Sequence, residues 1–138
     1  MLKSKKFRIK GFTLLESLLV LSVTSFVVLS FSATFKGVLS QVEEDLFFIS
    51  FEHLYRDSQS LSALRSEPVQ LVLSDGVISN GQTSLALPKG VTVENGLNLR
   101  FDHRGGNSSM KKISFQTRQK TIRYQLYMGS GKYKKTEN

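Results

Sequence analysis

The chain has 138 residues, enough for one small domain with an extension. It contains no cysteine, which excludes disulfide stapling, thiolate metal sites and thiol catalysis. Its formal charge is +8, but Lys3, Lys5, Lys6, Arg8 and Lys10 put +5 into the first eleven residues, leaving 14 basic against 11 acidic side chains beyond them.

The first predicted element follows this basic stub. Phe12 to Phe35 carries a single charge, Glu16, in 24 positions. As a helix that run is about 36 Å long, enough for a bilayer core of roughly 30 Å. The stub in front of it keeps the N-terminus cytoplasmic and sends the rest outward. A secretory signal peptide shares the basic start and the apolar core. Against it stand the length of the run and the lack of a clean small-x-small site before Lys36.

The helical pattern continues past the membrane run. Phe35, Leu39, Val42, Leu46 and Ile49 recur at steps of three and four, with Leu54 displaced from the series. No proline appears until Pro68, so one helix from Phe12 to about Leu64 is expected, with Gly37 as a soft point. Phe47, Phe48 and Phe51 are expected to fill a helix–sheet core. They also span nearly half the helix circumference, which makes them candidates for contact with another subunit.

After Pro68 the period changes to two. Val69, Leu71 and Leu73 alternate, then Leu97, Leu99 and Phe101, then Ile113, Phe115 and Thr117, then Ile122, Tyr124 and Leu126. Turn signals separate them at Asp75-Gly76, Asn80-Gly81, Pro88-Lys89-Gly90, Asn95-Gly96 and Arg104-Gly105-Gly106-Asn107. Short strands joined by tight turns predict one small antiparallel sheet covered by the amphipathic half of the helix, an α+β arrangement. Residues 129–138 read as a loose, basic tail.

Chemistry-bearing clusters are few. Asp102, His103, Arg104, Ser108 and Ser109 share one loop, but triads work through geometry that loop neighbours do not supply, so a turn is expected and catalysis is not. His53 and His103 have no ligand pattern around them, and neither metal nor other cofactor is expected. Lys111, Lys112, Arg118, Lys120, Arg123, Lys132, Lys134 and Lys135 face Glu137 alone after Met110. Alternation puts Arg123, Gln125 and Tyr127 on the outer face of the sheet, opposite Ile122 and Leu126. These cations are candidate DNA-contact residues; a solvated face, or docking on an acidic neighbouring subunit, is the alternative.

The stretch KGFTLLESLLVL, Lys10 to Leu21, resembles the prepilin signature of type IV pilins and pseudopilins. That signature is a basic leader ending in glycine, an aromatic residue, then a hydrophobic helix with glutamate at its fifth position. The resemblance implies a pilin-like fold, cleavage between Gly11 and Phe12 by a prepilin peptidase, and N-methylation of Phe12. It also implies filament assembly in which Glu16 meets the N-terminal amine of a neighbouring subunit. A carboxylate in an apolar span is costly unless paired, which agrees with that role.

VEEDLFFISFEHLYRDSQ (Val42 to Gln59), ISNG (Ile78 to Gly81) and Phe101 to Lys132 resemble the ComGD minor-pilin family of the streptococcal competence pilus. That likeness implies a non-enzymatic subunit of a pilus for natural transformation and DNA uptake. Its partners would be the major competence pilin, other minor pilins, the assembly ATPase, the membrane platform protein and extracellular DNA. The expected organisation is a cleaved leader (1–11), a transmembrane and filament-core helix (12–35), an amphipathic continuation (36–66), a sheet domain (67–128) and the tail (129–138). The precursor would cross the membrane once and reach the cell surface after processing. Two departures stand out: the leader is long and strongly basic, and the helix lacks the proline that kinks many major pilins. A minor pseudopilin of a secretion system, a subunit that itself binds DNA, and a plain anchored domain retaining Met1 to Gly11 are the competing readings.

Overall fold

The structure, a computed structural model, describes Gly11 and residues 13–138. Residues 1–10 and Phe12 lie outside the described residues, and with them the leader, the far side of the Gly11–Phe12 junction and the methylation assigned to Phe12. Two compact units follow one another in the chain, the first up to Leu39 and the second from Ser40 to Asn138.

The first unit consists of the opening turns of α1 (Leu14–Arg65). Thr13 caps it: its hydroxyl accepts the Glu16 backbone N–H at 3.3 Å, and its carbonyl accepts the Ser17 N–H at 3.1 Å. The most apolar 18 residues of the helix have a mean hydropathy of 2.1, and none of them is buried by the rest of the protein. Ser22, Thr24 and Ser30 donate their hydroxyls to the carbonyls of Leu18, Val20 and Phe26 at 2.7–2.8 Å. Each hydroxyl is thereby satisfied within its own helix, which lets polar residues sit in a lipid-facing span.

In the second unit α1 runs on to Arg65 and stops on a Schellman motif. Ser66 adopts a φ of 53°, and the Glu67 N–H reaches back to the Ser62 carbonyl at 3.3 Å. Eight strands follow: β1 (Val69–Ser74), β2 (Val77–Ser79), β3 (Ser84–Ala86), β4 (Thr92–Val93), β5 (Leu97–Phe101), β6 (Lys112–Gln116), β7 (Thr121–Leu126) and β8 (Tyr133–Glu137). The long helix and the antiparallel strands match the expected α+β, pilin-like class. The single sheet expected is in fact two, ordered β3-β2-β1-β5 and β4-β6-β7-β8, with every pairing antiparallel. The chain interleaves them: β4 joins the second sheet before β5 returns to the first.

Residues 129–138 are not a loose tail. β8 pairs with β7 over five registered positions, from Ile122 with Glu137 to Leu126 with Tyr133. The segment carries almost no apolar signal, so the strand owes its existence to the β7 ladder and to the Tyr133 ring, which stacks edge-on against Tyr55 and Tyr124. Gly131 makes the approach to α1 possible. Its φ is +63°, and a Cβ there would collide with the Gln59 side-chain amide and lie 2.9 Å from the Gly105 carbonyl.

Both sheets and α1 share one core. Phe47, Phe48, Phe51, Leu54 and Tyr55 come from the helix, Leu71, Leu73, Ile78, Leu99 and Phe101 from the first sheet, and Ile113, Phe115, Ile122, Tyr124 and Leu126 from the second. Phe47, Phe48 and Phe51 fill the helix–sheet core as expected, joined by Leu54, whereas Val42, Leu46 and Ile49 of the periodic apolar series are exposed. The helix has two apolar stripes at the same spacing, and the sheets take the aromatic one because it removes more surface from water.

Candidate functional site

The N-terminal candidates are positioned by the start of α1. Glu16 is the third helical residue after the Thr13 cap, exposed, and the acid of the first turn. A carboxylate there faces the unpaired N–H groups of the helix start, which favours it electrostatically. Thr13-Leu14-Leu15-Glu16 has the form of a capping box, a signal available in the sequence but missed beside the isolated charge.

Phe47, Phe48 and Phe51 are not available to another subunit. Each is at least 96% buried, and all three rings meet Phe115 edge-on at centroid distances of 4.9–5.7 Å. Burial against β6 outweighs their spread around the helix. The Asp102 loop is a turn, as expected: one carboxylate oxygen accepts the N–H groups of Arg104 and Gly106 at 2.8 and 2.9 Å. Those two bonds hold the Asp102 carboxyl below its ordinary value. Among the described residues no three His, Cys, Asp or Glu side chains are grouped to hold a metal ion.

The eight C-terminal cations divide into groups. Lys120 and Lys135 are engaged on the inner side of the second sheet: Lys120 bonds Glu137 at 2.9 Å, and Lys135 reaches Glu52 at 3.2 Å and Glu137 at 3.8 Å. The Lys120–Glu137 hydrogen bond raises the lysine and lowers the carboxyl from their ordinary values. Lys112, Arg123 and Lys134 lie exposed on the opposite, outer face, where Lys112, Arg123, Gln125 and Thr136 line a groove of about 180 Å³. Lys111 precedes β6, Arg118 crosses Gly90 from the β6–β7 turn, and Lys132 precedes β8 beside Arg56 and Gln59.

Comparison with known proteins adds the decisive observation. The chain is 46% identical over 130 residues to competence protein ComGD of Streptococcus pneumoniae, an alignment spanning 94% of this chain and 81% of that protein. The chain belongs to the ComGD family of competence proteins. No family model matches it, and no solved structure matches it. As a ComGD-family protein with a pilin-like fold, it is a non-enzymatic minor pilin of a competence type IV pilus system. Among the described residues one helix, α1, is long and apolar enough to cross a membrane, and with the family membership this makes the precursor a membrane-anchored protein later processed to the cell surface and pilus.

In this ComGD-family chain Glu52 ties β8 and β7 to α1. The Tyr124 hydroxyl donates to its carboxylate at 3.1 Å, and the same oxygen meets Lys135, whose ammonium lies 5.8 Å from the Phe48 and Tyr124 ring centres. Burial alone would raise the Glu52 carboxyl, but the Lys135 and Tyr124 hydrogen bonds and the lysine charge together hold it below its ordinary 4.5. Such a group contributes stability that is complete above its unfolded value and lost as pH falls through the lowered folded one. Glu52→Gln should therefore cost on the order of 1 kcal/mol or less at neutral pH, since the pair is partly solvated. The difference from the parent should shrink as pH falls from neutral through that lowered value and be lost below it. Urea midpoints of the full chain in detergent at neutral pH and below that value would check this; an equal difference at both would rule out the ionised contact.

Proposed function

We propose that the chain enters the competence pilus after hydrolysis of the Gly11–Phe12 bond by a prepilin peptidase and methylation of the new Phe12 amine. The helix from Phe12 then leaves the membrane for the filament core, and Glu16 pairs with the amine of a neighbouring subunit. Assembly draws on the pilus ATPase and the membrane platform protein, and the neighbours are the major competence pilin and the other minor pilins. The pilus so built serves the uptake of extracellular DNA.

The observation that carries this reading is Glu16: one exposed carboxylate in the first turn of α1, five residues beyond Gly11 and the sole charge in the apolar run from Phe12 to Phe35. A charge in that setting needs a partner of opposite sign, and the described part of the helix offers it none, since the next charged residue is Lys36. Membership of a competence family supports this pilus over a secretion-system assembly.

N-terminal sequencing and mass measurement of protein extracted from membranes test the proposal. The expected product starts at Phe12 and is heavier by one methyl group, and Gly11→Val should keep the whole leader. A wild-type chain that retains Met1 would overturn the reading in favour of a plain anchor.

A further inference from the structure

We propose that the outer face of the β4-β6-β7-β8 sheet binds the phosphodiester backbone of DNA through Lys112, Arg123 and Lys134. This rests on the competence-pilus reading and assigns the contact with DNA to one face of this subunit. Strand register makes the face. Lys112 pairs with Gln125 and Gln125 with Lys134, a row across three adjacent strands. Ser114 pairs with Arg123 and Arg123 with Thr136, the next row on the same side. Ile113, Phe115, Ile122, Tyr124 and Leu126 are buried on the opposite side, so the polar set projects outward together.

Strands lie about 4.8 Å apart and alternate residues about 7 Å apart along a strand, so the three cations mark a triangle roughly 8–10 Å on a side. Gln125 lies between Lys112 and Lys134, and Ser114 and Thr136 flank Arg123, supplying the amide and hydroxyl donors that phosphate oxygens accept. The groove lined by Lys112, Arg123, Gln125 and Thr136 runs through the same place. Tyr127, 45% exposed where β7 ends, offers a ring on which an unpaired base can stack.

Charge bookkeeping favours this face over the other cations. The sole acid in β6, β7 and β8 is Glu137, and it points inward to Lys120 and Lys135. Among the described residues Lys112, Arg123 and Lys134 form no ion pair; Glu94, whose N–H bonds the Ser114 carbonyl at 3.0 Å, stands exposed beside β6 at the edge of this face and is not paired with them. With its amide oxygen turned towards β7, Asn138 accepts from Arg123 at 3.3 Å and steadies the guanidinium without neutralising it. Within β6, β7 and β8 the outer face carries no aliphatic side chain. It therefore lacks the apolar centre of a protein–protein contact.

The test uses the full chain in detergent, with labelled single- and double-stranded DNA followed by fluorescence anisotropy at two salt concentrations. Combining Lys112→Gln, Arg123→Gln and Lys134→Gln should weaken binding at least tenfold. It should also lower the slope of log affinity against log salt by about 2 for single strands. Lys120→Gln with Lys135→Gln should leave affinity within about twofold of the parent, because those ammonium groups are already paired. In cells the triple variant should still appear in sheared pili while transformation falls. Parental affinity in the triple variant would overturn the inference, as would tighter binding of poly(glycerol phosphate) or polyglutamate than of DNA. Loss of the triple variant from pili would make the face a subunit contact instead. A wild-type chain absent from pili would instead defeat the minor-pilin reading, and the anisotropy arm would still report on the face.

Discussion

Phe115→Ala should remove about 3–5 kcal/mol from the domain formed by residues 40–138, a large part of the margin such a domain has. Phe115 is fully buried in β6, and four rings meet it edge-on: Phe47, Phe48, Phe51 and Tyr124, at 4.9–6.0 Å. Those partners come from both layers, the helix and its own sheet, so the cavity left by alanine opens where α1 docks. Neighbouring rings are held by their own contacts, Tyr124 by Tyr133 and Phe47 by Phe48, and cannot all move in. Phe115→Leu keeps most of the bulk and loses the ring–ring geometry, so on the order of 1–2 kcal/mol is expected. Urea titration of the full chain in detergent, read by near-ultraviolet circular dichroism of the tyrosines, measures both. A loss below about 1 kcal/mol for alanine would mean that the core collapses around the site and that Phe115 is not its keystone.

Glu16→Gln should leave leader removal intact yet cut incorporation into sheared pili by at least tenfold. Glutamine is chosen because two roles meet at this position. As the third residue after the Thr13 cap, Glu16 completes a capping pattern that glutamine serves equally well. As the lone carboxylate of the apolar run from Phe12 to Phe35 it needs a cation, and glutamine cannot supply the charge. If capping were its whole purpose, Glu16→Gln would assemble normally and only Glu16→Val would fail. Immunoblots of sheared and membrane fractions, with N-terminal sequencing of each variant, separate the cases. Normal piliation by both variants would remove Glu16 from the assembly step altogether.

Much of the architecture is written locally. The helix expected over Phe12 to Leu64 is found over Leu14–Arg65, and Asp75-Gly76 makes the two-residue hairpin its sequence promises, with Ser74 paired to Val77. What failed depends on distant partners. The buried stripe of α1 is the exception: spacing fits both stripes, but the aromatic bulk of Phe47, Phe48 and Phe51 marks the one that the sheets cover. β8 has little hydrophobic alternation of its own; it is a strand because β7 offers a free edge and Tyr133 finds Tyr55 and Tyr124. The number of sheets is likewise a matter of register between remote segments. The same holds at the candidate sites. Glu16 stands out in the sequence as one charge among apolar neighbours, whereas the eight cations look equivalent there. Only pairing shows that Lys120 and Lys135 are occupied while Lys112, Arg123 and Lys134 share an open face.

The interleaving of the two sheets limits how this protein can vary. A contiguous segment holding β1 to β5 necessarily carries β4 away from β6, and a segment holding β6 to β8 leaves β4 behind. Recombination with a related gene at any single point between them would join strands whose partners come from different parents. Neither sheet is thus a portable module. A turn such as Asp75-Gly76, by contrast, can change in length and charge without breaking a ladder.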